Sequence, residues 1–378
     1  MNKILVAPDS FKGNLTALEV ADNIEKGILS VLPEVEVIKV PMADGGEGTV
    51  QSLVDATKGK LIYKEVTGPI GEAVQAQFGI LGDGKRAVIE MATASGLPLV
   101  PLDKRDPTKT TTYGTGELIK AALDQGVEEL IIGIGGSATN DGGVGMAQAL
   151  GISFLDKDGN EVGFGGGELA KIESIDLSGF DSRVNEIDIK VACDVTNPLY
   201  GPNGAAYIYG PQKGANSKMV KELDNNLRHF AAIVARELNK NVQNISGAGA
   251  AGGLGAGLVA FLGAQLKSGI EIVLEANNFV DKLAGVDLVI TGEGQLDNQT
   301  VNGKTPIGVA RVAKKYNIPV IAIAGNVVDN VDKKVEGEID AVFSTNQQLI
   351  PLEEAMEKAP IWLQMISRQI MKTFKIKF

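Results

Sequence analysis

The sequence predicts an α/β protein of two domains: a parallel-sheet domain formed by both ends of the chain, and a mixed α/β domain inserted into it. Three observations carry this. Apolar runs alternate with helical patterns at the start of the chain, the alternation returns at its end, and between them strand-like runs follow one another with only Gly and Pro turns. A chain of 378 residues, 44% hydrophobic and 22% charged, can bury a large core, and its length favours two domains over one.

The elements follow in order. "KILVAPD" is an apolar β-type run and "SFKGN" a polar break. Thr16 and Glu19 have the spacing of a capping box, opening a helix to about Leu32. "EVEVIKVPM" reads as a second strand, "ADGGEGT" as a glycine-rich turn, and residues 48–57 as a short helix. After Lys60 the runs "KLIYKEVTGP", "EAVQAQFGIL" and "RAVIEMA" read as antiparallel strands. "VDLVITGEG", a helix from about Pro306 to Tyr316, "IPVIAIAGN", "AVFSTN" and a last helix from Leu352 restore the βα pattern. The expected division is 1–65 with 283–378 for the first domain, and 66–282 for the insert.

Charge and composition exclude several functions. A net charge of -11 and a pI near 4.9 argue against nucleic acid, which is bound through clustered Lys and Arg. Cys193 is the only cysteine, so no intrachain disulfide forms, and "MNKILVAPDS" is too short an apolar run for a signal peptide. A cytoplasmic location is expected. Residues 241–266 carry no charge, but six of the thirteen residues from Ser246 to Leu258 are glycine. That composition describes a flexible loop running into a small-residue helix, and no membrane span is expected. His229, the only histidine, lies in "ELDNNLRHFAAIVAREL", whose apolar positions repeat at helical spacing. A Ser-His-Asp or Cys-His mechanism is therefore disfavoured, and proton transfer falls to Asp, Glu or Lys.

Two nucleotide motifs fail on context. "TGEGQLDNQTVNGKTP" ends in Gly303-Lys304-Thr305, the close of a phosphate-cradling loop, but Asn298 stands where that loop needs its first glycine. Eleven residues also separate Gly292 from Lys304. Gly247-Ala248-Gly249-Ala250-Ala251-Gly252 satisfies the dinucleotide fingerprint, yet the preceding "KNVQNIS" is too polar for a central strand.

Three loops leave presumed strand ends with polar groups, "PDSFKG" (8–13), "MADGGEG" (42–48) and "TGEGQLD" (291–297), and are expected to converge. Lys12, beside Gly13 on a loop, is a local attractor for an anion. In the insert, "GIGGSATNDGGVG" (133–145) follows a strand-like run; its five glycines before Val144 allow close backbone approach, and a helix starting near Gly143 would aim its N–H groups at a ligand. Ser137, Thr139, Asn140 and Asp141 add side-chain donors and acceptors. "VACDVTNPLYGPNGAA" (191–206) has the same form, with Asp194 a candidate metal-bound or basic carboxylate and Cys193 a buried small residue. These residues indicate an α/β enzyme that binds small anions, phosphates among them, between two domains.

Seven blocks, "APDSFKG", "PMADGGEGT", "MATASGL", "TTYGTGEL", "GIGGSATNDGG", "ACDVTNPLYGPNGAA" and "TGEGQLDNQT", together resemble the type I glycerate kinase family, in order from Lys3 to about Arg311. The resemblance implies a flavodoxin-like (Rossmann-like) domain with an inserted α/β domain, and transfer of the γ-phosphoryl group of ATP, with Mg²⁺, to a hydroxyl of D-glycerate. Such chemistry needs positioning and charge stabilisation more than a histidine. On that reading, chemistry assigns Lys12, Asp44, Asp194 and Asp297 to catalysis, and Asp194 and Asp297 to the metal. Ser10, Arg105 and Glu293 go to the substrate; Gly135, Gly136, Ser137, Asn140, Asp141, Gly249, Gly252 and Gly253 to the ATP phosphates. The expected partners are D-glycerate and ATP, with no nucleic acid and no membrane, and a monomer or homodimer. The 2- or 3-phospho product is left open. A kinase for another hydroxy acid, a nicotinamide-dependent oxidoreductase using the GAGAAG segment, and a non-catalytic anion sensor are the alternatives. The tail "KTFKIKF" has no functional reading.

Overall fold

In a computed structural model, which describes residues 1–297, 300 and 304–376, the strands run in chain order as follows. They are β1 (Lys3–Pro8), β2 (Glu36–Lys39), β3 (Lys60–Thr67), β4 (Ala73–Ile80), β5 (Arg86–Glu90), β6 (Glu129–Gly133), β7 (Ser153–Leu155), β8 (Ser174–Asp176), β9 (Asp188–Ala192), β10 (Gln265–Lys267), β11 (Leu288–Leu296), β12 (Val320–Val327) and β13 (Ala341–Ser344). Contacts divide the chain into one unit of residues 1–44, 51–58 and 270–378, and another of 45–50 and 59–269. β3 pairs antiparallel with β4 and so belongs to the second unit.

The first unit is a five-stranded parallel sheet, β13-β12-β11-β1-β2. Numbered within the unit, β2, β1, β11, β12 and β13 give the order 2-1-3-4-5, which is flavodoxin-like. Its inner strands are buried on both faces, as the unbroken apolar runs of β1 and of β12 from Val320 to Ala324 require. Thr16 caps the helix Ala17–Leu29 through a reciprocal box with Glu19. Val20, Ile24 and Ile28 of that helix share a core with Ile4, Val6, Ile290 and Ile323 of the sheet, and with Leu363 and Ile370 of the last helix, Leu352–Thr373. The two helices meet at Gly27, where a Cβ would lie 2.5 Å from the Gln364 carbonyl oxygen. Gln364 also donates to Asn23 Oδ1 at 2.7 Å.

The second unit is built on a six-stranded mixed sheet, β10-β9-β6-β5-β4-β3, antiparallel among β3, β4 and β5 and parallel from β5 to β10. The Gly247–Gly252 segment is preceded by the helix Ser217–Leu238 and turns, with no strand leading into it, so the dinucleotide fingerprint lacks its β-strand. His229 lies on that helix, half-buried, its Nε2 donating to the Ile172 carbonyl at 2.7 Å. Among the described residues no helix is long and apolar enough to cross a membrane. In the loop after β11, Asn298 and Gly303 lie outside the described residues, and the next helix starts at Thr305.

Candidate active site

All five strands of the first unit end at one rim, and the loops leaving it enclose a cavity of about 540 Å³. Asp9, Ser10, Phe11, Lys12 and Asn14 follow β1, and Asp44 follows β2. Glu293, Gln295 and Asp297 come from the end of β11, Asn326 from β12, and Thr345 and Asn346 from beyond β13. Lys304 adds a second cation just before the helix Thr305–Lys315. The loops 8–13, 42–48 (through Asp44) and 291–297 thus meet around one space. Its centre lies where the chain reverses its direction of build across the sheet, β2 being laid on one side of β1 and β11 on the other; ligands of open parallel sheets bind at such a point.

Local hydrogen bonds fix the charged groups here. Asp9, 5% exposed, accepts from the Ser10 N–H at 2.6 Å and from the Thr305 hydroxyl at 2.6 Å, which ties the β1 loop to the start of the helix after β11. Burial, with nearby Asp44 second, pushes its carboxyl up to about 6, against the opposing pull of Thr305, Ser10 and Lys12. Glu293, 8% exposed, accepts from the Thr300 hydroxyl; burial pushes it up to about 7, opposed by Thr300 and Lys304 and reinforced by Asp9 and Asp297. Lys12 stands more in solvent, at 59% side-chain exposure, with Nζ 3.9 Å from Asp44 Oδ2. Asp297 closes a turn with Thr300, its backbone N–H donating to that hydroxyl at 3.1 Å. The cavity therefore holds two buried carboxyls of raised proton affinity and two lysines.

This donor set suits a hard cation. Mg²⁺ takes oxygen ligands and is commonly held by one or two carboxylates together with substrate phosphates and water. Asp44 and Asp297 line the cavity and supply such oxygens. Among the described residues no three Asp, Glu, His or Cys side chains form a ready cage.

The remaining expected residues belong to the second unit. Asp194 is exposed, and its Oδ1 accepts from the Gly269 N–H at 3.0 Å. Arg105 is half-buried, with Nε 3.5 Å from the Val100 carbonyl. Gly135 and Gly136 are exposed at the tip of the loop after β6. The rest of that loop turns inward. The Asp141 carboxylate is fully buried and accepts from the Thr112 N–H and hydroxyl, both at 2.8 Å, and from the N–H groups of Gly143 and Gly145. The Met146 N–H goes to the Thr112 hydroxyl and the Val144 N–H to the Asp141 carbonyl. The first-turn donors expected to face a phosphate are thus taken up inside the protein. The second glycine run has a packing reason: a Cβ at Gly249 would lie 2.2 Å from the Pro198 oxygen, at Gly252 1.9 Å from the Thr139 oxygen, and at Gly253 2.9 Å from Gly142 Cα. Gly252 and Gly253 also hold positive φ, +72° and +91°. Backbone pressed against backbone asks for the same residue as a phosphate cradle does.

Sequence reasoning missed Asp9, Thr305 and Lys213. The first lay in a quoted loop, but nothing local signals its burial. Lys213, 2% exposed, donates to Ser137 Oγ at 2.7 Å and to the Thr139 carbonyl at 2.6 Å, pinning the glycine-rich loop from a distance of 76 and 74 residues along the chain. Burial pulls its ammonium down to about 7, against the opposing charge of Asp141. Among the described residues the Asn140 side chain and Thr139 Oγ1 lie buried beside these groups with no protein partner. Replacing Lys213 by Met leaves two more buried acceptors unpaired and is expected to cost about 2–3 kcal/mol in urea unfolding. The sign with pH is also set. The folded lysine loses its proton near 7 while the unfolded one keeps it to about 10.4, so the wild type gains stability as pH rises between those values. Its advantage over Lys213→Met should widen from pH 6.5 to pH 9, and a gap that narrows would contradict the assignment.

With this geometry in view, comparisons with known proteins place the chain. The model of the glycerate kinase family matches residues 4–375. The chain is similar to the glycerate kinase of Bacillus subtilis (strain 168), 56% identical over 99% of this chain and 98% of that one. It is 55% identical to the glycerate 2-kinase of Escherichia coli (strain K12), at the same coverage of both chains. A crystal structure of a Salmonella typhimurium LT2 protein assigned as glycerate kinase 2 matches with a TM-score of 0.92 and 52% identity, over 99% of this chain and 98% of the other.

Proposed function

The chain belongs to the glycerate kinase family, an ATP-dependent kinase of glycerate, and we propose that phosphoryl transfer takes place at the carboxyl ends of the first unit's strands. The observation that carries the placement is the meeting of five strand ends around two lysines and four carboxyl groups, Asp9, Asp44, Glu293 and Asp297, at the switch point of the sheet. ATP would supply the γ-phosphoryl group, and a Mg²⁺ bound with it would neutralise its oxygens. Asp44 and Asp297 would hold the metal. Lys12 and Lys304 place positive charge against the transferred group, and Glu293 takes the proton of the attacking hydroxyl, its proton affinity having been raised towards neutrality by burial. Asp9, locked by Thr305 and Ser10, keeps the β1 loop in position, with the Ser10 hydroxyl beside it for the substrate carboxylate.

Arg105, Asp194 and the exposed Gly135–Gly136 tip with Ser137 remain assigned to substrate, metal and phosphate on their chemistry alone. The name of the Escherichia coli relative supports 2-phosphoglycerate as the product. A single cysteine and the acidic charge support a cytoplasmic enzyme. The test is ADP release over D-glycerate, L-glycerate, glycolate and D-lactate, with the product resolved by phosphorus NMR. D-glycerate should give robust release and a signal coupled to the C2 proton. Turnover only with another acid would overturn the substrate, and a signal coupled to the C3 protons would overturn the regiochemistry.

A further inference from the structure

The cavity has a second wall that the phosphoryl-transfer chemistry leaves without a task. Besides the charged strand ends it is lined by Ile350, Leu352, Ala355, Met356, Ala359 and Trp362. The last five recur at helical spacing on the helix Leu352–Thr373, which makes one apolar face. Glycerate is a three-carbon acid with no apolar part, and neither it nor a phosphate can use this face. It would also fill only a small part of 540 Å³, a volume in the range of pockets for nucleotide-sized ligands, about 300–1,000 Å³.

Resting on the kinase reading, we infer that this wall seats the adenine of ATP, so that the chain's last helix reads the base while the β1 and β11 loops take the phosphates. Thr345 and Asn346 after β13 and Asn326 after β12 also line the cavity, and offer donors and acceptors for the base edge and the ribose. The wall is also tied to the phosphate end: Asn14 Nδ2 donates to the Met356 carbonyl at 3.0 Å, and Met356 Cε lies 3.9 Å from where a Cβ on Gly13 would be. The base seat and Lys12 are thus held on one short hydrogen-bonded segment.

The chain contains one tryptophan, and it is Trp362 in this wall, which makes the test direct. The wild-type protein is titrated with adenosine, with ADP and Mg²⁺, and with D-glycerate, while tryptophan emission is followed. Adenosine and ADP should each change the emission saturably, and D-glycerate alone should not. A change with D-glycerate and none with adenosine or ADP, or no change with any of the three, would overturn the assignment. As a second arm, Ala355→Leu, at a half-buried position on the same face, should raise the KM for ATP about tenfold or more and leave the KM for D-glycerate unmoved, because the added methyl groups fill space only the base would enter. A raised KM for D-glycerate with that for ATP unchanged would place the acid, not the base, on the wall. Failure here is distinct from failure of the kinase reading. An enzyme that releases ADP with D-glycerate yet ignores adenosine at Trp362 loses the base seat alone.

Discussion

Lys12→Ala should lower kcat/KM by about a hundredfold or more while leaving the melting temperature within a degree or two of wild type, because its charge is aimed at the reacting group and not at the fold. The structure sets both halves of this expectation. Its side chain is more than half exposed and its Nζ stands 3.9 Å from Asp44 Oδ2, an exposed pair of the kind worth about 0–1 kcal/mol. Nothing in the core depends on it. Yet Lys12 lines the switch-point cavity beside Asp9 and Asp44, where charge on a transferred phosphoryl group has few other counter-charges near it. Lys12→Arg should recover only part of the rate, since a planar fork does not stand in for a compact ammonium at a close site. If Lys12→Ala keeps half of normal turnover and affinity, the lysine is an ordinary surface residue and the first unit's cavity loses its main support as the reaction site.

How much of this was legible in the sequence depends on how local the cause is. The βα alternation, the capping box at Thr16 and the three polar loops at strand ends were readable because each is decided within a few residues: apolar runs make strands, and Asp, Ser and Gly after a strand make loops. Their convergence followed from a general property of parallel sheets. What could not be read is what burial does. Asp9 and Glu293 look in sequence like any loop carboxylates, and only burial in the folded chain raises their proton affinity; the hydrogen bond to Asp9 from Thr305, 296 residues away, pulls the other way. The glycine runs are ambiguous for the same reason. Gly252 is a glycine because the Thr139 oxygen occupies the place of its side chain, and a string of letters does not distinguish that from room left for a phosphate. Lys213 had no local signal at all. The apolar wall on the last helix carries no signal of its own in the sequence, since a helix covering a sheet and a helix lining a nucleotide pocket use the same spacing of Leu, Met and Trp.

Glu293→Gln is expected to be the most damaging single change to turnover that leaves the fold intact. As the group that accepts the hydroxyl proton, Glu293 should contribute about 10²–10⁴-fold to kcat, and glutamine keeps its shape and can still accept from the Thr300 hydroxyl while losing all basicity. The pH profile separates this from a merely steric effect. A base must be ionised to act, and with the carboxyl pushed up to about 7 wild-type kcat/KM should climb as pH rises through 7. The residual activity of the variant should lack that limb. Stability moves the opposite way. A carboxyl whose folded value lies above its unfolded one, about 4.3, helps the fold at low pH and loses that contribution as pH rises through 7. Between those limits wild type therefore falls behind the Gln variant, and at pH 8 the variant should melt no lower than wild type, with any advantage gone near pH 4. Loss of activity together with a lower melting temperature at pH 8 would mean that Glu293 holds the β11 loop together and that the proton goes elsewhere, Asp9 being the other buried carboxyl of the cavity with raised proton affinity.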